Sequence, residues 1–297
     1  MERNRRARNN LRSGLLFAAP ALLGFILLNL IPMVCSLVLS FTSYSGFNLP
    51  TFVGLANFKK MFGGSDVFFY KSLLATGYYT LLNVPASILF SFALSLMLNA
   101  KIRGRGFFRS VFYLPTIVPV VASSMIWLWI LNPTTGVLNQ LLEMLHLPAS
   151  QWLYSEASVV PTIVMIGLWS TGSTMLIFLA GLQGIPQSYY EAIEIDGGNY
   201  FHKLTNVTLP LMTPTIFFNT IMAIIGSFQV FTQAYILTQG GPNNASLFFA
   251  YLIYREAFQN ANMGYASALA WILFVIILIF SYTVLKTQNK WVYYEGE

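Results

Sequence analysis

Long stretches without a charged side chain alternate with short polar ones along this chain. No Asp, Glu, Lys or Arg occurs in residues 13–58, 72–100, 110–142, 157–190, 204–254 or 257–285. An ionised side chain at the centre of a bilayer costs at least ~2.5 kcal/mol, so each gap is a candidate crossing. Every gap exceeds the ~20 residues that a helix needs to traverse the hydrocarbon. The pattern predicts six helices, at about 15–41, 72–98, 107–131, 159–183, 210–237 and 263–285. Strands are not expected, because the apolar runs are too long for them and lack a period of two.

Composition agrees with that reading. Of 297 residues, 56% are hydrophobic and only 9% charged, where a soluble domain is about one quarter charged. This excludes a soluble enzyme, a disordered chain and a nucleic-acid-binding domain. A single cysteine, Cys35, leaves no internal disulfide framework and no Cys-based zinc site.

Charge sets the orientation. Six crossings put both termini on one side. That side carries Arg3, Arg5, Arg6, Arg8, Arg12, Lys101, Arg103, Arg105, Arg109, Lys203, Lys286 and Lys290, against Lys59, Lys60, Lys71 and Arg255 on the other. By the positive-inside rule both termini are cytoplasmic. The basic residues read as topology determinants beside anionic lipid, not as a nucleic-acid patch. The first apolar stretch runs about 27 residues, past the 7–15 of a signal peptide, so it reads as a retained span.

The chemistry that is missing narrows the function. No Gly-rich phosphate loop and no His-Glu-x-x-His pair occurs. The two histidines, His146 and His202, fall on opposite sides of the membrane. Catalytic residues: none; metal ligands: none. The spans also lack the ionisable residue that most proton- or sodium-coupled carriers place in the membrane. A transporter of this composition would draw its energy from another subunit, and a path without fixed charge suits a neutral solute.

Polar and aromatic side chains line two spans instead. The fourth carries Trp169, Ser170, Thr171, Ser173 and Thr174, and the fifth carries Phe228, Gln229 and Thr232. Aromatic faces with hydroxyl and amide groups can stack on and hydrogen-bond a polyhydroxylated ligand. They are also common in helix contacts and at membrane interfaces.

The connection between those spans, 186–209, is the most informative segment. Pro186 breaks the fourth span, and Ser188 with Glu191 has capping-box spacing. Tyr189, Ala192 and Ile193 recur at helical spacing, with Glu191 and Glu194 on another face. Gly197 and Gly198 can close the helix in a left-handed conformation, and Asn199 can cap a second short helix. The expectation is a short acidic helix with an apolar stripe, shaped to dock into a protein groove.

The run Tyr190-Glu191-Ala192-Ile193-Glu194-Ile195-Asp196-Gly197-Gly198, continuing to Val207-Thr208-Leu209-Pro210-Leu211, resembles the signature loop of membrane subunits of binding-protein-dependent ABC importers. The likeness is to the carbohydrate branch, of maltose and glycerol-3-phosphate type. Leu237-Thr238-Gln239-Gly240-Gly241-Pro242, Tyr254-Arg255-Glu256-Ala257-Phe258, Gly264-Tyr265-Ala266-Ser267-Ala268 and Tyr113-Leu114-Pro115 with Pro119 extend it. Ile193 stands where that family usually has Ala.

The resemblance implies an all-α polytopic fold of the type I ABC importer permease (MetI-like) kind. Its parts would be a segment 1–71 with the first span, a core 72–285 containing coupling loop 186–209, and a tail 286–297. Glu191, Ala192, Glu194, Asp196, Gly197 and Gly198 would dock on a separate ATPase. Trp169, Ser170, Thr171, Thr174, Phe228, Gln229 and Thr232 would face the substrate path. Gly240, Gly241 and Pro242 would face an extracytoplasmic solute-binding protein. The implied partners are a second homologous permease, two ABC ATPases, the lipid bilayer and a carbohydrate substrate. No cofactor is expected on this chain, with ATP and Mg on the ATPases, and the expected location is a bacterial or archaeal plasma membrane. The competing reading is a self-contained ion-coupled sugar carrier or channel.

Overall fold

The computed structural model describes residues 2–100 and 103–293, and of residues 2–13 the backbone only. Lys101, the side chains of Arg3, Arg5, Arg6, Arg8 and Arg12, and residues 294–297 of the tail lie outside the described residues.

Most of the described chain is helical, as the apolar runs require. A continuous helix leads from Glu2 to Leu39, and α1, Gly14–Leu39, is its apolar part. A hairpin of two-residue strands follows, β1 (Thr42–Ser43) with β2 (Thr51–Phe52), antiparallel with Thr42 opposite Phe52. Then come α2 (Ala56–Phe62), α3 (Val67–Asn99), α4 (Arg105–Ile117), α5 (Val120–Ile130) and α6 (Val137–Met144). The chain continues through α7 (Val159–Trp169), α8 (Gly172–Gly184), α9 (Gln187–Ile195), α10 (Tyr200–Phe228), α11 (Phe249–Tyr254) and α12 (Met263–Lys290). Among the described residues, four helices are long and apolar enough to cross a membrane by themselves. The count reaches six if each of two bent pairs is one crossing.

Those two pairs correct the sequence reading, which drew each as one unbroken helix. α4 and α5 meet at 99° across Val118 and Pro119. Pro119 lacks an N–H and its ring drives Val118 into an extended conformation (φ −69°, ψ 128°), which ends the helix. α7 and α8 bend by 53° at Ser170 and Thr171. There the two hydroxyls bond the carbonyls of Gly167 and Leu168, at 3.0 and 2.8 Å, giving the backbone a partner other than the next turn. The fifth span differs at both ends. α10 begins at Tyr200, because Asn199 caps it and no break follows, and it stops at Phe228 rather than near 237. Gly226 and Ser227 are poor helix formers, and the last turn tightens through Gln229 N–H to Gly226 C=O, 3.2 Å.

Prolines also shape the backbone without breaking it. Ile31 and Leu209 each donate to the carbonyl five residues back, at Ile26 and Leu204. Each lies just before a proline, Pro32 and Pro210. A proline ring clashes with the carbonyl four residues earlier, and the wider π turn relieves that crowding.

The chain divides into two compact units. The first comprises 1–65 and 253–272. In it the Asn57 amide donates to the carbonyls of Ser40 and Thr42 (2.8 and 3.0 Å), and Gly264 N–H donates to Tyr44 C=O (3.0 Å). A Cβ on Gly264 would lie 2.1 Å from the Thr42 carbonyl oxygen, so only glycine fits. The second unit comprises 66–252 and 273–297. Its centre is α3, whose N-terminus is capped by the Asp66 carboxylate accepting from Phe68 N–H (2.9 Å). Against it pack α7, α8 and α10. Phe92 and Phe178 meet edge to face at 5.5 Å, with Leu182 and Met212 in the same buried cluster. Lipid tails are as apolar as these side chains, so packing density and dispersion hold this core together more than exclusion from water does.

Candidate functional site

In the second unit, α9 and the turn that follows it are largely exposed. Its start departs from the expectation: Pro186 occupies the N-cap and no side-chain cap forms, so the Ser188–Glu191 capping box is absent. Proline at this point already ends α8 and orients the first turn. Its end matches. Gly198 N–H donates to Ile193 C=O (2.8 Å) and Gly197 N–H to Glu194 C=O (3.1 Å), the paired bonds of a Schellman motif, with Gly197 at φ +77°. Asn199 then accepts from Phe201 and His202 N–H, and His202 Nδ1 accepts from Asn199 N–H, closing a capping box.

This geometry holds α9 between α8 and α10 as a rigid knob. Tyr190 and Thr208 share a hydroxyl–hydroxyl bond at 3.2 Å, which ties the knob to the base of α10. Glu191, Ala192, Glu194, Asp196 and Gly197 are exposed, and Gly198 is half-buried beneath Ile193. Glu194 is not free, since it pairs with Lys203. The tip is also apolar: Ile195, Tyr200 and Phe201 are 86%, 71% and 66% exposed. The sequence reading gave these three and Lys203 no docking role. Their signal was an apolar pair, Tyr200 and Phe201, beside a lysine at the start of an otherwise polar turn. Carboxylates around exposed apolar side chains suit a groove with a basic rim and an apolar floor.

The polar span residues fall at two helix breaks. Trp169, Ser170, Thr171 and Thr174 lie at the α7–α8 bend, and Phe228, Gln229 and Thr232 at the end of α10. Trp169, Ser170 and Gln229 are exposed, and Thr171, Thr174 and Thr232 are half-buried. Phe228 is the exception. Its ring is 2% exposed and packs on Phe280 at 5.1 Å, so it offers no face to a solute in this conformation. Asn83, missed in the sequence reading, joins the two breaks. Its amide donates to Ser227 Oγ at 2.8 Å, and a Cβ on Gly167 would stand 3.4 Å from its Oδ1. An amide in the middle of a long apolar run was the available signal. Trp127 also packs edge to face on Trp169 at 5.8 Å.

Gly240, Gly241 and Pro242 form a packed turn rather than an open loop. Gly240 is buried at φ +85°, and a Cβ there would press on Tyr251 and Leu247. Ser246 Oγ, fully buried, lies 2.6 Å from both the Gly241 carbonyl and Thr238 Oγ1. The neighbouring Asn243 is exposed and Asn244 half-buried, both with positive φ. Among the described residues, no group of three or more His, Cys, Asp or Glu side chains could hold a metal ion.

Comparison with known proteins puts this arrangement in context. Residues 85–289 match the family model described as binding-protein-dependent transport system inner membrane component. A probable ABC transporter permease protein, YesP of Bacillus subtilis, is 39% identical, covering 100% of this chain and 97% of that protein. The arabinooligosaccharides transport system permease protein AraP of Halalkalibacterium halodurans is 32% identical, over 90% of this chain and 84% of its own. The trehalose/maltose transport system permease protein MalF of Thermococcus litoralis is also 32% identical, over 79% of each. A chain of the crystal structure of a bacterial alginate ABC transporter in complex with an alginate pentasaccharide-bound periplasmic protein superposes with a TM-score of 0.82 at 22% identity. It covers 95% of this chain and 96% of that one, and shows the same fold.

Proposed function

The chain belongs to the family of binding-protein-dependent transport system inner membrane components, and on that footing we propose that it forms half of the pore of a carbohydrate importer. It is a multi-pass membrane subunit of an ABC transporter and not itself an enzyme. The observation that carries the coupling role is the α9 knob, an exposed acidic and apolar projection locked between two spans by the Schellman turn and the Asn199 cap. In our reading it inserts into a groove of a separate cytoplasmic ATPase, the subunit that binds ATP and Mg. Glu191 anchors it by charge-assisted hydrogen bonds, and Ile195, Tyr200 and Phe201 fill the groove.

The class of solute follows from chemistry and kinship. The relatives named for arabinooligosaccharides and for trehalose and maltose support a sugar or oligosaccharide. So do the uncharged hydroxyl, amide and indole groups at the two helix breaks. A solute-binding protein would deliver the sugar from outside a bacterial or archaeal plasma membrane, and a second, similar permease would complete the pore.

Co-purification tests the reading. The chain expressed with its neighbouring reading frames should bring down a second permease and an ATPase dimer. Glu191→Ala should reduce ATPase recovery about tenfold or more, matching the loss of one charge-assisted bond, with membrane insertion unchanged. Sugar uptake by this chain without any ATPase would refute the proposal and restore the self-contained carrier.

A further inference from the structure

The C-terminal tail contacts the same arms that carry the α9 knob. Pro214 lies inside α10 and has no N–H, so the carbonyl of Pro210, four residues earlier, loses its helical donor. Thr213 supplies the missing bond: its hydroxyl donates to Pro210 C=O at 2.6 Å. The same oxygen accepts the backbone N–H of Tyr293 at 2.8 Å. One turn further on, Trp291 packs edge to face on Phe217 at 5.8 Å. Tyr293 also lines a cavity of about 270 Å³, whose other walls include Gly181, Gly184, Ile185, Pro186 and Pro214. The tail therefore touches α10 beside Pro214 and lies over the end of α8, where the chain turns into α9.

These two arms are already close. A Cβ on Gly181 would lie 3.0 Å from Thr215 Oγ1 and 3.1 Å from the Met212 side chain. The chain runs from one arm to the other through two joints, one on each side of α9. Gly184 and Pro186 flank one side of α9, and the π turn at Leu204–Thr208 lies on the other. A displacement of α9 reaches both spans equally when the two arms move as one body.

We propose that residues 291–293 are a positioning strap that clips α8 to α10, so that movement of α9 is passed to both spans together. Thr213 is its anchoring residue and Trp291 its apolar pin. The proposal rests on the reading of α9 as the coupling element. It adds a part of the chain that the signature loop does not include.

The test uses the full transporter in lipid nanodiscs with Thr213→Val, Thr213→Ser and Trp291→Ala. Two quantities are read: amide hydrogen exchange over 181–189 and 209–217, and sugar transported per ATP hydrolysed. Thr213→Val keeps the shape of the side chain and removes the hydroxyl, and Thr213→Ser restores it. We expect about fivefold faster exchange in Thr213→Val and Trp291→Ala, the scale of one lost hydrogen bond or ring contact. The transport-to-hydrolysis ratio should fall by a similar factor, with both quantities near wild type in Thr213→Ser. Unchanged exchange in both disrupting variants would overturn the strap. Faster exchange with an unchanged ratio would overturn its positioning role. The exchange arm is read on this chain itself, so it judges the strap even if no ATPase co-purifies, an outcome that would instead defeat the proposed function.

Discussion

Gly198 shows how much one missing Cβ can decide. A Cβ built there would stand 2.3 Å from Ile193 Cγ2 and 2.9 Å from the Ile193 carbonyl oxygen. The Schellman turn brings these residues together, because its outer bond runs from Gly198 N–H to Ile193 C=O. Gly198→Ala should therefore cost about 1–3 kcal/mol locally, through overpacking. Ile193→Ala/Gly198→Ala should recover about half, since only the side-chain part of the clash is relieved. Hydrogen exchange of the 193–198 amides in the two variants measures both numbers. Additive costs, with no recovery in the double variant, would mean that Ile193 does not define the space. The sequence placed Gly197 and Gly198 at this helix end but could not show that the bulky Ile193 is folded over the second of them. By contrast, the Glu194–Lys203 pair lies at the surface, Glu194 exposed and Lys203 half-buried, and surface pairs contribute about 0–1 kcal/mol. Glu194→Gln should leave ATPase recovery nearly unchanged where Glu191→Ala does not.

Helices here are tuned by their irregularities. Pro210 and the π turn before it set the rotation of the knob relative to α10, because one extra residue in a turn rotates everything beyond it by about 100°. Pro210→Ala removes the crowding that favours the π turn. With a regular α-helix in its place, α9 would face a different direction while every span remained intact. Transport should fall by about tenfold, at the lower end of the usual 1–3 kcal/mol of coupling between sites, with normal expression. Uptake at the wild-type rate would show that the π turn is incidental. Breaks of this kind were unevenly legible. Pro119 was visible as a residue, yet the 99° bend at it was not expected. The α7–α8 bend has no proline at all: it depends on Ser170 and Thr171 bonding back to their own helix, a choice that periodicity does not reveal. Gaps between charges report where a span can lie, because the cost of a charge is set by depth. They are silent on whether the backbone within the gap is straight.

On the scale of the whole chain, the absence of charge fixed the class of protein, and the signature loop fixed its kinship. Contacts between remote segments were beyond reach. Asn83 meeting Ser227, and Tyr293 meeting Thr213, join residues whose pairing no local pattern encodes. At 33 residues α3 is about 50 Å long, against ~30 Å of hydrocarbon in an average membrane. Its surplus must tilt or stand out into the headgroups, and it is the helix on which α7, α8 and α10 are packed. Acyl-chain length is therefore a control knob on this machine: vesicles of thin and thick phosphatidylcholines should tip that shaft by different amounts and give import rates that peak at one thickness.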